Sequence, residues 1–336
     1  MRSSDRTSAS HPELAFLDEA RLILSFDEKS PIAETPASGN VFSVLMLSAL
    51  DGLTTRKLEI AAALGASATS PTADGDLVVL SGTSLKLYTN DFVLKKEVAV
   101  TPPICSKVLI TPGDFRHFRC IYNTQRLDVS PDQKRLLIRG DGSRREGAMP
   151  LYRWSWFETN DLAPIGAWTA LGGGDFRAGN QEFIAQAGLK PPNLVTERTR
   201  EPVCSECQRA YFLTNDLRLE TSDRTAELKN PAGLILYRTK LSDGVNEVAI
   251  SRDNSLFAYV TISGGIGALQ LSRQPKLNFK IHVCDWKDRR EVTSISYQVV
   301  ESGEVITSGS QSAIAISPNG HTLALLVDSS LALFHI

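Results

Sequence analysis

This sequence is short of the residues that usually betray chemistry. Its five histidines, at positions 11, 117, 282, 321 and 335, are scattered without metal-ligand spacing. No G-x-S-x-G elbow, Walker loop or dinucleotide glycine fingerprint occurs. Gly264-Gly-Ile-Gly267 precedes no helical pattern able to receive a phosphate, so it reads as a hairpin tip. No cofactor is expected. Five cysteines cannot all pair, which argues against an obligatory disulfide framework and leaves room for one or two bridges. No apolar run approaches the roughly 18 residues of a membrane helix. A formal net charge of −2 and a pI near 6.2 supply no pull toward nucleic acid or an anionic membrane. Neither nucleic acid nor membrane insertion is expected, and the chain is read as a monomer.

The first ten residues are polar and lack the apolar stretch of a signal peptide. The expectation is a cytoplasmic protein if Met1 is the native start, and an extracytoplasmic one if a leader has been removed. Residues 1–12 read as a flexible segment ahead of a single domain over 13–336.

What the chain does have is core material, 42% of residues being hydrophobic, cut into short runs by turn residues. From Ser312 to Ile336 three apolar runs are separated by Ser317-Pro-Asn-Gly320 and Asp328-Ser-Ser330, with no helical spacing. Proline pre-sets the turn backbone and Asn-Gly tolerates positive φ, so a three-stranded meander is predicted. The pattern recurs at Ser130-Pro-Asp-Gln133 and Ser251-Arg-Asp-Asn254, each followed by an apolar strand. Further strand sets are read at 14–60, 76–98, 126–168, 182–197, 210–237 and 247–295, the fourth of these weakly and 104–118 without assignment.

Repeats of roughly 30 to 60 residues built from four short strands indicate a β-propeller. The prediction is an all-β fold of seven four-stranded antiparallel blades, with six blades or a β-sandwich as alternatives. The last unit shows only three strands, so a segment within Glu13–Leu17 is expected to supply the fourth and close the ring between the termini.

The residues Ala313-Ile-Ala-Ile-Ser-Pro-Asn-Gly and Val248-Ala-Ile-Ser-Arg-Asp-Asn, each ahead of an apolar strand, resemble blades of the broad WD40-like and YVTN-like propeller superfamily of bacteria. The resemblance covers most of the chain. It departs from true WD40 blades in lacking Gly-His and Trp-Asp pairs, since Asp285-Trp286 runs the other way. It therefore implies a fold and supplies no functional residues.

A few local clusters are candidates. Arg116-His-Phe-Arg-Cys120 (Arg116, His117, Arg119) and the Arg144-Arg145 pair offer cations to an anionic ligand or a partner, against a reading as ordinary charged loops. Cys204-Ser-Glu-Cys207 lacks the second pair of ligands of a structural zinc site, and is read as two loop thiols or a disulfide. Cys105 and Cys120 flank a hairpin and are able to pair, whereas Cys284 sits in an apolar strand as a buried thiol. Tyr152, Trp154 and Trp156 share one strand face and are expected to pack between blades, with a ligand platform as the competing reading.

The functional expectation is a non-catalytic binding scaffold using loops at a channel mouth, with 101–120, 139–150, 169–209 and 262–277 the longest. The alternative is a hydrolase- or lactonase-like propeller, which requires acid, His or Arg side chains from several blades to converge at one mouth.

Overall fold

Strands that are apolar at every position must be buried on both faces, and the fold provides that by standing sheets side by side around an axis. The computed structural model describes residues 12–28, 40–62, 67–81, 83–100, 105–109, 118–122, 127–143, 151–171, 175–186, 191–214, 217–222, 224–241, 245–253, 255–263, 276–300, 312–327 and 330–336. Among these there is no helix.

Blade 1 is β1 (Glu13–Phe16), β2 (Arg21–Glu28), β3 (Asn40–Ser48) and β4 (Thr54–Ala62). Blade 2 is β5 (Ser67–Pro71), β6 (Leu77–Ser81), β7 (Ser84–Tyr88) and β8 (Leu94–Ala99). A separate hairpin of β9 (Cys105–Leu109) and β10 (Phe118–Tyr122) follows. Blade 3 is β11 (Leu127–Val129), β12 (Arg135–Ser143), β13 (Leu151–Glu158) and β14 (Pro164–Leu171). Blade 4 is β15 (Asp175–Ala178), β16 (Phe183–Gln186), β17 (Asn193–Val195) and β18 (Arg200–Pro202). Blade 5 is β19 (Arg209–Thr214), β20 (Leu217–Thr221), β21 (Thr225–Lys229) and β22 (Ile235–Lys240). Blade 6 is β23 (Val245–Ile250), β24 (Leu256–Ser263), β25 (Lys276–Asp285) and β26 (Arg290–Val300). Blade 7 is β27 (Ser312–Ile316), β28 (Thr322–Val327) and β29 (Ser330–His335), three strands among the described residues.

The result is a seven-bladed propeller of antiparallel sheets, and the six-bladed and sandwich alternatives fall. Strands are designated A to D outward from the channel. Seven apolar clusters fill the seven junctions between blades, so the core is a ring. Strand β6 shows how: Leu77 and Val79 face the blade 1 junction while Val78 and Leu80 face the blade 3 junction.

One expectation needs correction. Glu13–Leu17 does not complete the last blade; β1 pairs with β2 as the inner strand of blade 1, Leu14 opposite Leu24 and Phe16 opposite Leu22. Closure comes from packing, with Leu14, Phe16 and Leu22 set against Ala313, Ala315 and Leu326. Burying those side chains across the junction requires β1 at the channel, which an outer position would forbid. Residues 1–11, the remainder of the N-terminal segment, lie outside the described residues.

The recurring Ser-x-(Asp/Asn) turns join strands A and B with one geometry. Ser130, Ser251 and Ser317 are fully buried, and each hydroxyl donates to the acid or amide two residues on, at 2.6, 2.6 and 2.8 Å. Each also accepts the N–H five residues on, from Arg135, Leu256 and Thr322, at 3.0, 2.9 and 2.9 Å. Thr72 does the same work in blade 2, accepting from Asp76 N at 3.1 Å, where Thr72-Ala-Asp-Gly-Asp76 hides the likeness.

Ser317→Ala removes two buried hydrogen bonds and is expected to cost about 1–3 kcal/mol of stability, read as a lower denaturation midpoint. Gly320→Ala should be destabilising as well, because φ is +78° and the new Cβ would lie 2.7 Å from Leu256 Cδ1.

Candidate functional site

In an antiparallel blade the ends of strands A and C lie at one edge, so all A–B and C–D turns share one face of the disc. At the centre of this turn face is a cavity of about 210 Å³, bordered by Phe16, Pro71, Gln133, Arg252 and Pro318 from five blades, with an apolar wall of inner-strand residues such as Ile314. Two polar groups stand out. Gln133 Oε1 is buried without a hydrogen-bond partner among the described residues. Arg252 Nη2 donates to the carbonyls of Leu17 (2.9 Å) and Phe16 (3.4 Å), reaching from blade 6 to blade 1 past blade 7. Burial pushes its pKa down, partly offset by the charges of Asp18 and Glu19. Glu19 in turn accepts the N–H of Asn319 at 2.7 Å.

Deeper in the ring, carboxylates cap the exposed edges of neighbouring inner strands. Glu13 Oε2 accepts Thr69 N of blade 2 at 2.6 Å, and Asp128 Oδ2 accepts Ala178 N of blade 4 at 2.7 Å. These N–H groups face the channel, where a strand has no further partner, so an acceptor borrowed from the preceding blade satisfies them. Asp128 has its pKa raised by burial, against the lowering effects of the Arg177 charge and of N–H donation from Ala178 and Val129.

The turn face also carries a regularity that sequence reading missed. The C–D turns of blades 1, 2, 3, 5 and 6 each contain a residue at positive φ: Gly52, Phe92, Leu162, Gly233 and Arg289. Within the next three positions come Leu53, Val93 with Leu94, Ile165, Leu234 with Ile235, and Val292, all exposed. With Leu50 these are all the large exposed hydrophobics among the described residues, and Leu50, Leu53 and Leu234 expose 82%, 65% and 62% of their surface. Part of the signal was available in the apolar pairs Val93-Leu94 and Leu234-Ile235 that follow turns, whereas Leu53, Ile165 and Val292 stand singly. It was overlooked because such pairs were read as strand starts.

The residues singled out beforehand fall in different parts of the chain, and most of the cationic ones lie outside the described residues. Arg116, His117, Arg144 and Arg145 lie outside the described residues, and Arg119 falls in β10 opposite Val108. Trp154 packs between blades on Phe176 and Phe183, with ring centroids 5.0 and 4.0 Å away. Its indole nitrogen and those of Trp156 and Trp168 are buried without partners among the described residues. Cys204 and Cys207 are joined in a disulfide, Cα atoms 5.8 Å apart. Cys105 and Cys120 fall on the two strands of the β9–β10 hairpin. Cys284 is buried, its thiol pushed up to about 12 chiefly by desolvation.

A raised carboxyl pKa means that the native state holds the proton more tightly than the unfolded chain. The associated stability is present below the ordinary aspartate range and disappears as pH rises through the raised value. The stability of wild type relative to Asp128→Asn should therefore fall as pH rises above the ordinary aspartate value of about 3.9 in paired denaturant titrations; a flat difference would contradict the burial effect. For Cys284, peptide mapping after iodoacetamide treatment near pH 8 should show labelling in denaturant and none in the native protein.

No protein-family model matches the chain, and no curated protein matches it. Solved structures do. The Neurospora crassa Pan2 WD40 domain is 10% identical, with TM-score 0.54 over 94% of this chain and 85% of its own. A chain of a mitotic checkpoint complex is 11% identical, with TM-score 0.53 over 100% and 95%. Hsv2 from Kluyveromyces marxianus is 11% identical, with TM-score 0.51 over 97% and 93%. At such identities the likeness is one of fold, and with the seven blades it establishes the chain as a β-propeller similar in architecture to the Pan2 WD40 domain.

Proposed function

We propose that this propeller is a non-catalytic, monomeric binding scaffold and that its turn face is the recognition surface. The observation that carries this reading is the placement of the exposed large hydrophobics in the C–D turns, or at the start of the D strands that follow them, in five blades. Isolated exposed apolar residues need no explanation, but a set confined to one face of a disc favours contact with another macromolecule. One of the similar solved structures is a chain of the mitotic checkpoint complex, which supports the reading by analogy only.

The hydrolase alternative asks for converging acid, base or metal-ligating groups. At the described mouth the cavity border offers one arginine and one amide against an otherwise apolar wall. Glu13 and Asp128 accept backbone N–H groups of neighbouring blades, which gives them a structural use. These features favour binding over catalysis.

The test compares wild type with Leu53→Asp/Leu234→Asp by chemical cross-linking in the source cells followed by mass spectrometry. Both positions are surface-exposed, so the thermal midpoint is expected to stay within about 2 °C. The reading requires that cross-links to a partner map to the turn face and drop at least tenfold in the variant. Undiminished cross-linking, or cross-links mapping elsewhere on the disc, would refute it.

A further inference from the structure

The seven junctions are unequal. The one between blades 4 and 5 has the smallest cluster, Ile184, Ala210 and Phe212 being its only buried members among the described residues. Beside it, in the stretch between β18 and β19, sit Cys204 and Cys207, and across from them on β20 is Glu220, only 3% exposed. The two Sγ atoms and a Glu220 carboxylate oxygen all lie within 4.8 Å of one another. The Cys207 N–H points at Cys204 Sγ from 3.0 Å, a donor that stabilises a thiolate as readily as a bridged sulfur.

Around this trio the charges form a chain. Glu220 Oε2 is 2.7 Å from Lys229 Nζ and Oε1 is 3.4 Å from Arg218 Nη2; Lys229 continues to Glu227 at 2.9 Å, and Glu227 to Arg238 at 2.6 Å. Two carboxylates therefore face three cations, so Glu220 enters the trio with its charge already balanced by Lys229 and Arg218. A divalent cation bound by two thiolates carries the same net charge as the disulfide it replaces. The ion-pair chain can thus serve both states without rearranging, and the long Arg218 contact leaves Glu220 Oε1 the freer oxygen.

We propose that, once reduced, Cys204, Cys207 and Glu220 form a site for a thiophilic divalent cation of the zinc type, tying the blade 4–blade 5 connection to blade 5 beside the smallest junction cluster. A dithiol or phosphine reductant supplies two electrons, the S–S bond breaks, and the reductant is oxidised. Cation binding then releases the two thiol protons to solvent. Three protein donors with a fourth position for water suit tetrahedral coordination, with metal–sulfur bonds of about 2.3 Å. The sulfurs would separate to that geometry by side-chain rotation in a loop whose Ser205 and Glu206 are exposed. Because the ligands come from the blade 4–blade 5 connection and from β20, the cation would couple loop order to blade 5.

The test uses the full chain, reduced with a phosphine under anaerobic conditions and titrated with Co²⁺. The expected result is a thiolate-to-cobalt charge-transfer absorption saturating at one equivalent and abolished by one equivalent of Zn²⁺. Cys204→Ser/Cys207→Ser should lose the band. Glu220→Gln should keep it while weakening Co²⁺ binding at least tenfold, and Glu220→Asp should recover part of that loss. A silent titration of the reduced wild type overturns the proposal. So does a band that survives in the double cysteine variant, since it would belong to Cys105, Cys120 or Cys284. Equal affinity in wild type and both Glu220 variants would remove Glu220 from the site. A native thermal midpoint for Glu220→Asp distinguishes lost ligation from lost folding.

Discussion

A blade of this propeller has no core of its own, and the architecture follows from that constraint. A single sheet with apolar residues on both faces must be covered twice, so each blade depends on the two beside it, and the dependence is satisfied all round only if the ring closes. Here it closes by side-chain packing of β1 and β2 against β27 and β28, assisted by Arg252 and by the Glu19–Asn319 contact. The small residues Ala313, Ala315 and Ala324 let the inner strands of the first and last blades approach closely. Where side chains are larger, as at Trp154 against Phe176 and Phe183, the junction is filled by aromatic contact instead.

The inner edge of the ring raises a second problem, because each inner strand presents unpaired backbone groups to the channel. Glu13 and Asp128 solve it with carboxylates lent from one blade to the next. Their positions explain why charged residues near a propeller axis are poor evidence of catalysis by themselves. Asp128 has a perturbed pKa and a guanidinium partner, two marks of a reactive group, yet its oxygen already holds a neighbour's N–H.

Much of the architecture was legible because turn chemistry and burial agree. The Ser-Pro-Asp-Gln, Ser-Arg-Asp-Asn and Ser-Pro-Asn-Gly segments are sites where a buried hydroxyl ties the turn, and their recurrence ahead of apolar strands pointed to a repeated unit. Strands β5 and β15 were missed since Ser67–Pro71 and Asp175–Ala178 are neither strongly apolar nor alternating; they are held by pairing and by the channel geometry. Closure was misread because strand count was used where packing decides, and a count says nothing about which sheet edge Leu14 and Phe16 seek. The turn-face hydrophobics were invisible as a set because their equivalence is defined by φ at Gly52, Phe92, Leu162, Gly233 and Arg289, five positions with four residue types. Cys204 and Cys207 were visible, but Glu220 lies 13 residues beyond Cys207 and is placed by sheet register alone.

Arg252 has a mechanical meaning. Its guanidinium passes blade 7 and grips the carbonyls of blade 1, so it acts as a latch spanning the seam where the chain's two ends meet. It also borders the central cavity. An occupant of that cavity that draws on the same guanidinium competes with the latch, which couples filling the channel to loosening the seam.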